Sequence, residues 1–415
     1  MSKICDIEME GHLIDSLILT KVLDKIMDMG GEFEIKTFRV GQRKHDPSYV
    51  KITVGGSDEV HLDKILLELN ALGARVVETD DALAITAPGD RVVPRGFYST
   101  TNHPTYVRHG GRWLEVEDIQ MDCMVVISDH RAICTPLGHI KKGDRVVVGT
   151  SGVKVVPPER PRQKTLFGFM STNVSSERPS GEILQQLAGE ILKTKREGGK
   201  IAAVCGPAVI HTGAGAALAE LIREGYIDLL LAGNALAVHD IEQQLFGTSL
   251  GMDPSGNATS GGHRNHLYAI SEIIATGSIE KAVTEGKLKG GIMYECTRRG
   301  VPYILAGSIR DDGPLPEVIT DTVKAQDAMF EALRGTTMTI MMATMLHSIA
   351  TGNMLPSYVK TICIDINPST VTKLMDRGTA QAIGLVTDIG IFLPLLVKEV
   401  KRQSELMRER KALIM

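Results

Sequence analysis

The spacing of apolar residues changes along this chain, and each spacing predicts a different kind of structure. Leu17 to Met29 carries apolar side chains at helical intervals and stops at Gly30-Gly31, and Val60 to Leu72 repeats the pattern before Gly73. Phe33 to Val40 and Tyr49 to Val54 alternate as strands do, and Arg75 to Ile85 closes the set. With a strand ahead of the first helix, the order βαββαβ predicts a ferredoxin-like α+β unit over residues 1–90. Such a unit serves regulation, ligand binding or oligomer contacts equally well, so it does not choose a function.

From Arg91 to Val156 the runs shorten. Met124 to Ser128, Arg145 to Val148 and Val153 to Val156 are β-rich and separated by Gly and Pro turns, predicting a small sheet or barrel over 91–156 on the substrate side. Pro157-Pro158-Glu159-Arg160-Pro161-Arg162 opens a linker placed at 157–181. Over 182–415 the apolar runs become continuous and alternate with helical stretches. Ile201 to Cys205, Ile227 to Leu231, Tyr303 to Ala306, Met338 to Met342, Thr361 to Ile366 and Ile383 to Val386 are apolar on both faces. Strands of that kind, separated by helices, predict an α/β domain with a parallel sheet covered on both sides.

An open parallel sheet binds ligands outside the carboxyl ends of its strands, so the residues there matter most. The first strand runs into Gly206-Pro207 and then His211-Thr212-Gly213-Ala214-Gly215, small residues that let backbone approach a pyrophosphate ahead of a helix. The other strands end in Gly233-Asn234-Ala235, Gly307 to Asp312, Ala343 to Ser348, Asp365-Ile366-Asn367 and Thr387-Asp388. Asp365 and Asp388 stand where an acid grips a ribose diol, although Asn367 and Thr387 also suit helix N-caps. Thr248 to Asp253 through Gly261 to His266 is a Gly/Ser-dense loop, read as a lid or a plain surface loop. Arg298, Arg299 and Arg310 are candidate carboxylate clamps, and Tyr98 to Thr105 is a polar loop dense in donors and acceptors.

Composition narrows the classes. Lys plus Arg number 46 and Asp plus Glu 50, a net charge of −4 that argues against nucleic acid or an anionic membrane as partner. The six cysteines never form C-x-x-C, which argues against a zinc site or a disulfide framework. No apolar run reaches the roughly 20 residues of a membrane span. Ile389 to Val400 falls short and contains Pro394, so a cytoplasmic protein is expected.

T-T-N-H-P-T, G-N-A-L-A-V-H-D-I-E, E-C-T-R-R-G-V-P-Y-I-L-A-G-S-I-R-D-D-G-P-L-P, A-T-M-L-H-S and C-I-D-I-N-P-S resemble the archaeal NAD-dependent ornithine cyclodeaminase family, formerly labelled LOR/SDH-related. The sequence is also similar to the C-terminal part of cyanobacterial arginine dihydrolase/ornithine cyclodeaminases. The resemblance covers essentially the whole chain. It implies a deoxyhypusine synthase- or sirtuin-like NAD domain, a homotetramer, and conversion of L-ornithine to L-proline and ammonia in proline biosynthesis. It places NAD contacts at Asn234, Ala235, Asp312, Thr344, Met345, Leu346, His347, Asp365, Asp388 and Ile389.

The implied reaction withdraws a hydride from the α-carbon of ornithine, closes a five-membered ring through the δ-amine, expels ammonia and returns the hydride. It needs a cation for the carboxylate, an acid/base group and a carboxylate to orient amines. Arg264 or Arg298 is the candidate cation. His263, His266 or His103 is the candidate acid/base, and Asp312 or Asp253 the amine partner. Three rivals share the same residues: an NAD-dependent amino-acid dehydrogenase, a non-catalytic amino-acid and NAD sensor, and a cysteine hydrolase in which two arginines lower the pKa of Cys296.

Overall fold

The computed structural model describes residues 3–14, 16–43, 46–77, 80–157, 180–252, 259, 262–376 and 382–414. Contacts divide the chain into two compact units, Met1–Lys164 with Asn353–Tyr358, and Thr165–Gly352 with Val359–Met415.

The first unit holds two sheets. Strands Lys3–Gly11, Glu32–Arg39, Ser48–Gly56 and Arg75–Val76 form an antiparallel sheet in the spatial order second, third, first, fourth. Helices Ile18–Asp28 and Glu59–Ala71 cover one face, burying Val22, Ile26, Ile65 and Leu69 against Ile7, Ile52 and Val54. The strand order is that of a ferredoxin-like unit. One expectation divides, because Arg75 to Ile85 is not one strand. Arg75–Val76 pairs with Lys3–Gly11, whereas Ala84–Thr86 pairs with Arg145–Val147 in the second sheet. That second sheet has seven strands, antiparallel except where Arg112–Glu117 meets Ala132–Thr135. Sequence spacing alone passed over Thr105–His109, Arg112–Glu117 and Ala132–Thr135, each too short and too polar on one face to stand out.

The second unit carries a seven-stranded, wholly parallel sheet. Across it lie Val318–Ile319, Tyr303–Ala306, Leu229–Gly233, Lys200–Cys205, Thr336–Met342, Lys360–Asp365 and Ala382–Val386. The six expected strands are present, and a two-residue edge strand, Val318–Ile319, joins them. Ala202, Ala203, Ile340, Ile362 and Ile364 have essentially no exposure, which is why these strands read as continuous apolar runs. Each fully buried Ile or Leu contributes about 1.5–3 kcal/mol over an exposed one. From Lys200–Cys205 the sequence winds outward in one direction through Leu229–Gly233 and Tyr303–Ala306, then restarts on the other side at Thr336–Met342. The strand order therefore reverses between Lys200–Cys205 and Thr336–Met342. Among the described residues no helix is long and apolar enough to cross a membrane.

Most of the expected linker falls on residues 158–179, outside the described residues. Helix Ser180–Arg196 begins directly after them.

Candidate active site

At the reversal point two loops meet with no room for a side chain. A Cβ on Gly206 would stand 2.1 Å from the carbonyl oxygen of Ala343. Ala343 itself takes a left-handed backbone, φ 51°, a costly conformation for a residue with a Cβ. Thr344 follows, its Oγ1 3.3 Å from Nδ1 of His347, and burial lowers the pKa of that imidazole. Next along the edge, Asp365 is almost fully buried, and its Oδ1 accepts from the N–H of Asn367 at 2.8 Å. Apolar side chains stand exposed among these polar ends, Leu346 at 75% and Ile366 at 71%, with Met345 beside them.

The remaining proposed cofactor contacts divide by what already occupies them. Asn234 is buried at the start of helix Asn234–Phe246, and its amide donates to the Gly313 carbonyl and accepts from Leu315 N–H, so it ties down the loop that carries Asp312. Ala235 follows it in the first turn. Asp388 accepts from Gly390 N–H at 2.7 Å and thereby caps helix Ile389–Ile414, while Ile389 is buried. Of the caps foreseen, Asn367 does bond Ser369 N–H, but Asp388 rather than Thr387 caps the last helix.

A second group lies on helix Asn234–Phe246 and the loop after it. His239 Nδ1 is 2.9 Å from Oε2 of Glu242, three residues on and on the same helix face. Gly247 ends the helix and turns the chain back over Glu242. Glu242 has no exposure, and its two oxygens also accept from Thr248 Oγ1, Leu250 N–H and Gly251 N–H. Burial pushes this carboxyl up, but His239, Gly251 and Thr248 together hold it below the usual value, so it is ionised. A carboxylate only accepts, which fixes the proton of His239 on Nδ1 and leaves Nε2 as the working nitrogen. The His239 ring packs 4.7 Å from that of His211 and 6.3 Å from that of His266. His211 bonds Ser249 Oγ at 2.7 Å. Burial of its inner edge, then His239, bring its pKa down to about 4, so it is neutral above that pH. His266 Nε2 lies 3.2 Å from Asp312 Oδ2.

The candidates named from sequence therefore scatter. His266 and Asp312 come together, and Arg264 and His263 stand exposed in the turn just before helix Asn265–Thr276, which carries His266. Arg298 is displaced. It is exposed in the last turn of helix Ile292–Arg299, which feeds the amino end of Tyr303–Ala306, opposite the carboxyl ends. Asp253 lies outside the described residues. His103 belongs to the first unit. Its Nδ1 is buried without a partner among the described residues, as are both side-chain atoms of Asn102 beside it, and burial brings its pKa down to about 4. Cys296 contradicts the hydrolase reading: it is fully buried, and burial, then Asp240 and Glu295, push its thiol up rather than down. His211, His239 and Glu242 were not singled out as catalytic. The i, i+3 spacing of His239 and Glu242 was the signal available, but the approach of His211 comes only from the fold.

With this geometry in view, comparison with known proteins is specific. Residues 185–396 match the family described as arginine dihydrolase ArgZ-like, C-terminal, Rossmann fold. Residues 4–103 match the LOR/SDH bifunctional enzyme conserved region, and 104–184 the first region of the ArgZ-like C-terminal part. An ornithine cyclodeaminase of Archaeoglobus fulgidus is 62% identical over 95% of this chain and 98% of its own. The apo crystal structure of ArgZ, a cyanobacterial arginine dihydrolase, is similar with a TM-score of 0.86 and 39% identity, over 97% of this chain and 59% of that one. A crystal structure of AgrE in ternary complex with ornithine and NAD+ is similar with a TM-score of 0.54 and 41% identity, over 97% of this chain and 58% of that one. Matched from residue 4 to residue 396, the chain belongs to the family that the ornithine cyclodeaminases form with the C-terminal parts of ArgZ-like enzymes.

Proposed function

We propose that the protein converts L-ornithine to L-proline and ammonia with a tightly held NAD. The observation that carries this reading is the reversal of strand order beside Gly206, with Asp365 and the His239–Glu242 pair on elements that leave the same carboxyl ends. The residues present fit a dinucleotide. Gly206 and Ala343 leave no side chain larger than a methyl on the crevice floor, Asp365 has one oxygen uncommitted among the described residues, and exposed Leu346, Met345 and Ile366 offer apolar surface for flat rings to cover. Asp365 would hold a ribose, with Thr344, Met345, Leu346 and His347 beside it and Asn234, Ala235, Asp312, Asp388 and Ile389 completing the set.

Bound there, NAD supplies reversible hydride acceptance, so ornithine leaves as proline plus ammonia with no net oxidation. The chain's own groups do the rest. His239, oriented by Glu242, takes and returns protons at Nε2. Neutral His211 packs against it and excludes water from one side. Arg264 supplies the cation for the carboxylate, and the His266–Asp312 pair orients the amines. His263 and His103 remain further acid/base candidates, and Asp253 a second amine partner. The family resemblance also carries a homotetramer serving proline biosynthesis. A cytoplasmic location and three separate domains rest on the sequence pattern, with Ala84–Thr86 moved from the 1–90 range to the β-rich one.

The test is to denature the purified protein, identify the nucleotide released, and supply ornithine to intact protein without added NAD. Repeated proline formation from the resident cofactor is expected. Release of a 2-oxo acid that needs added NAD would replace this reading with an amino-acid dehydrogenase, and binding without turnover would replace it with a sensor.

A further inference from the structure

Strand Glu32–Arg39 forms one edge of the four-stranded sheet in the first unit, and among the described residues it pairs only with Ser48–Gly56. Its outer row of backbone groups is therefore a template for another strand. Its apolar side chains are also incompletely covered. Phe33, Ile35 and Phe38 stand opposite Val54, Ile52 and Val50, on the face that the two helices cover. Those three partners are fully buried, yet Ile35 is 40% and Phe38 41% exposed. Helix Ile18–Asp28 extends the strip. Its Lys25 pairs with Glu68 of the second helix, and Met27, about 200° further round, is 54% exposed on the opposite side.

The strand's own sequence says what covers this edge. A bulge between Ile35 and Thr37 shifts the alternation, so Glu32, Glu34, Thr37 and Arg39 share the other face. Laid antiparallel on a second copy about a two-fold axis, the strand sets Glu32 opposite Arg39, Phe33 opposite Phe38 and Glu34 opposite Thr37. Both members of each pair lie on one face, which a strand without the bulge would not allow in this register. All eight residues of the strand are then paired. Opposite charges and aromatic rings facing each other across strands stabilise such a contact, and the two-fold axis supplies each pair twice. Neither Glu32 nor Arg39, which rests over the Tyr49 ring, has an ion-pair partner among the described residues. Lys36, near the axis, is neutralised by Glu34 of its own strand.

We propose that a second copy of this chain docks on this edge, the two Glu32–Arg39 strands joining their sheets into one. The contact requires no subunit number beyond two and no part of the reaction assigned to the crevice.

Cross-linking of the full chain tests it without reference to activity. Glu34→Cys combined with Thr37→Cys puts thiols opposite each other across the axis, while within one strand the two positions stand about 10 Å apart, too far to join. With oxidised glutathione, a disulfide-linked dimer on a non-reducing gel is expected from the double variant and from neither single variant. Charge reversal gives a second reading by light scattering. Arg39→Glu is expected to weaken association about tenfold, and Glu32→Arg added to it to restore association, because the pair is then only exchanged. Glu32 and Arg39 are exposed, so these variants keep the fold. A monomeric wild type, a double-cysteine variant that forms no linked dimer, single variants that link equally well, or a charge-exchanged chain that associates as poorly as Arg39→Glu would each overturn the proposal.

Discussion

Nδ1 of His239 stands 2.9 Å from Oε2 of Glu242, three residues further along one buried helix face, and Glu242 spends its remaining capacity on the loop beyond the helix. One carboxylate thus orients a histidine and pins residues 248–251. His239→Asn removes the nitrogen at issue while leaving the loop anchored. It is expected to lower kcat for proline formation by about 10²–10⁴ while NAD stays bound. Glu242→Gln has a different signature. Its amide NH2 must face a donor, either Leu250 or Gly251 N–H or His239, so stability falls by about 1–3 kcal/mol and the loop becomes sensitive to protease. A His239→Asn enzyme with full turnover would remove His239 from the reaction.

Asp365 offers a separate handle on the cofactor. Its Oδ1 is engaged by Asn367 N–H, so the other oxygen is the one available to a ribose hydroxyl pair. Asp365→Ala is expected to yield folded protein that loses nucleotide during purification and regains activity only with added NAD. Asp365→Asn, which keeps an acceptor for Asn367, is expected to fall between. Measuring nucleotide per chain by absorbance after denaturation decides the point; full retention in the alanine variant would place the ribose elsewhere.

The parallel sheet was legible in the sequence because its strands are buried on both faces: Ile340, Met341 and Met342 leave a continuous apolar run that little else produces. Val318–Ile319 was not, since two residues at a sheet edge carry no period. The division of Arg75 to Ile85 between two sheets was equally hidden, because a strand's partner is chosen by tertiary contacts and not by its own alternation. The strand-end positions of Asp365 and Thr344 were legible because each stands where a buried apolar strand gives way to polar residues. Arg298 was misjudged for a topological reason, as a residue before a strand lies at the end of the sheet opposite the ligand. The contact of His211 with His239 joins residues 28 positions apart on different elements and has no local trace.

His103 links the first unit to pH. Burial brings its pKa from the ordinary 6.5 down to about 4, so the folded state binds this proton less tightly than the unfolded chain does. A proton taken up preferentially by the unfolded chain makes stability fall as pH drops from about 6.5 towards 4, and the contribution is intact above 6.5. Between pH 7 and pH 5 the loss attributable to His103 is at most about 2 kcal/mol. Urea denaturation at both pH values should show His103→Asn losing less stability on acidification than the wild type. Equal losses in the two proteins would mean that His103 titrates alike in the folded and the unfolded chain, as a solvated imidazole does.

Gly206 tests the reversal point itself. Its N–H donates to Met342 O at 2.9 Å, and Ala343 N–H donates to Ile364 O at 2.9 Å, so both backbones that meet there are fixed by the sheet. A Cβ on residue 206 would stand 2.1 Å from the Ala343 oxygen and 3.0 Å from Thr344 Cβ, neither of which is the free end of a flexible side chain. Gly206→Ala must therefore push Ala343 and Thr344 outward, at a cost of about 1–3 kcal/mol or more. That displacement moves the floor on which the dinucleotide is proposed to rest. The variant is expected to lose resident NAD, and with it proline formation without added cofactor, at temperatures where it remains folded by circular dichroism. Gly225→Ala, in the turn between helix Gly215–Arg223 and the amino end of Leu229–Gly233, is the matched control. Its Cβ meets nothing within 4 Å, so it carries only the backbone strain of φ 78°. If both variants lost the nucleotide equally, general destabilisation rather than the crevice floor would be the cause.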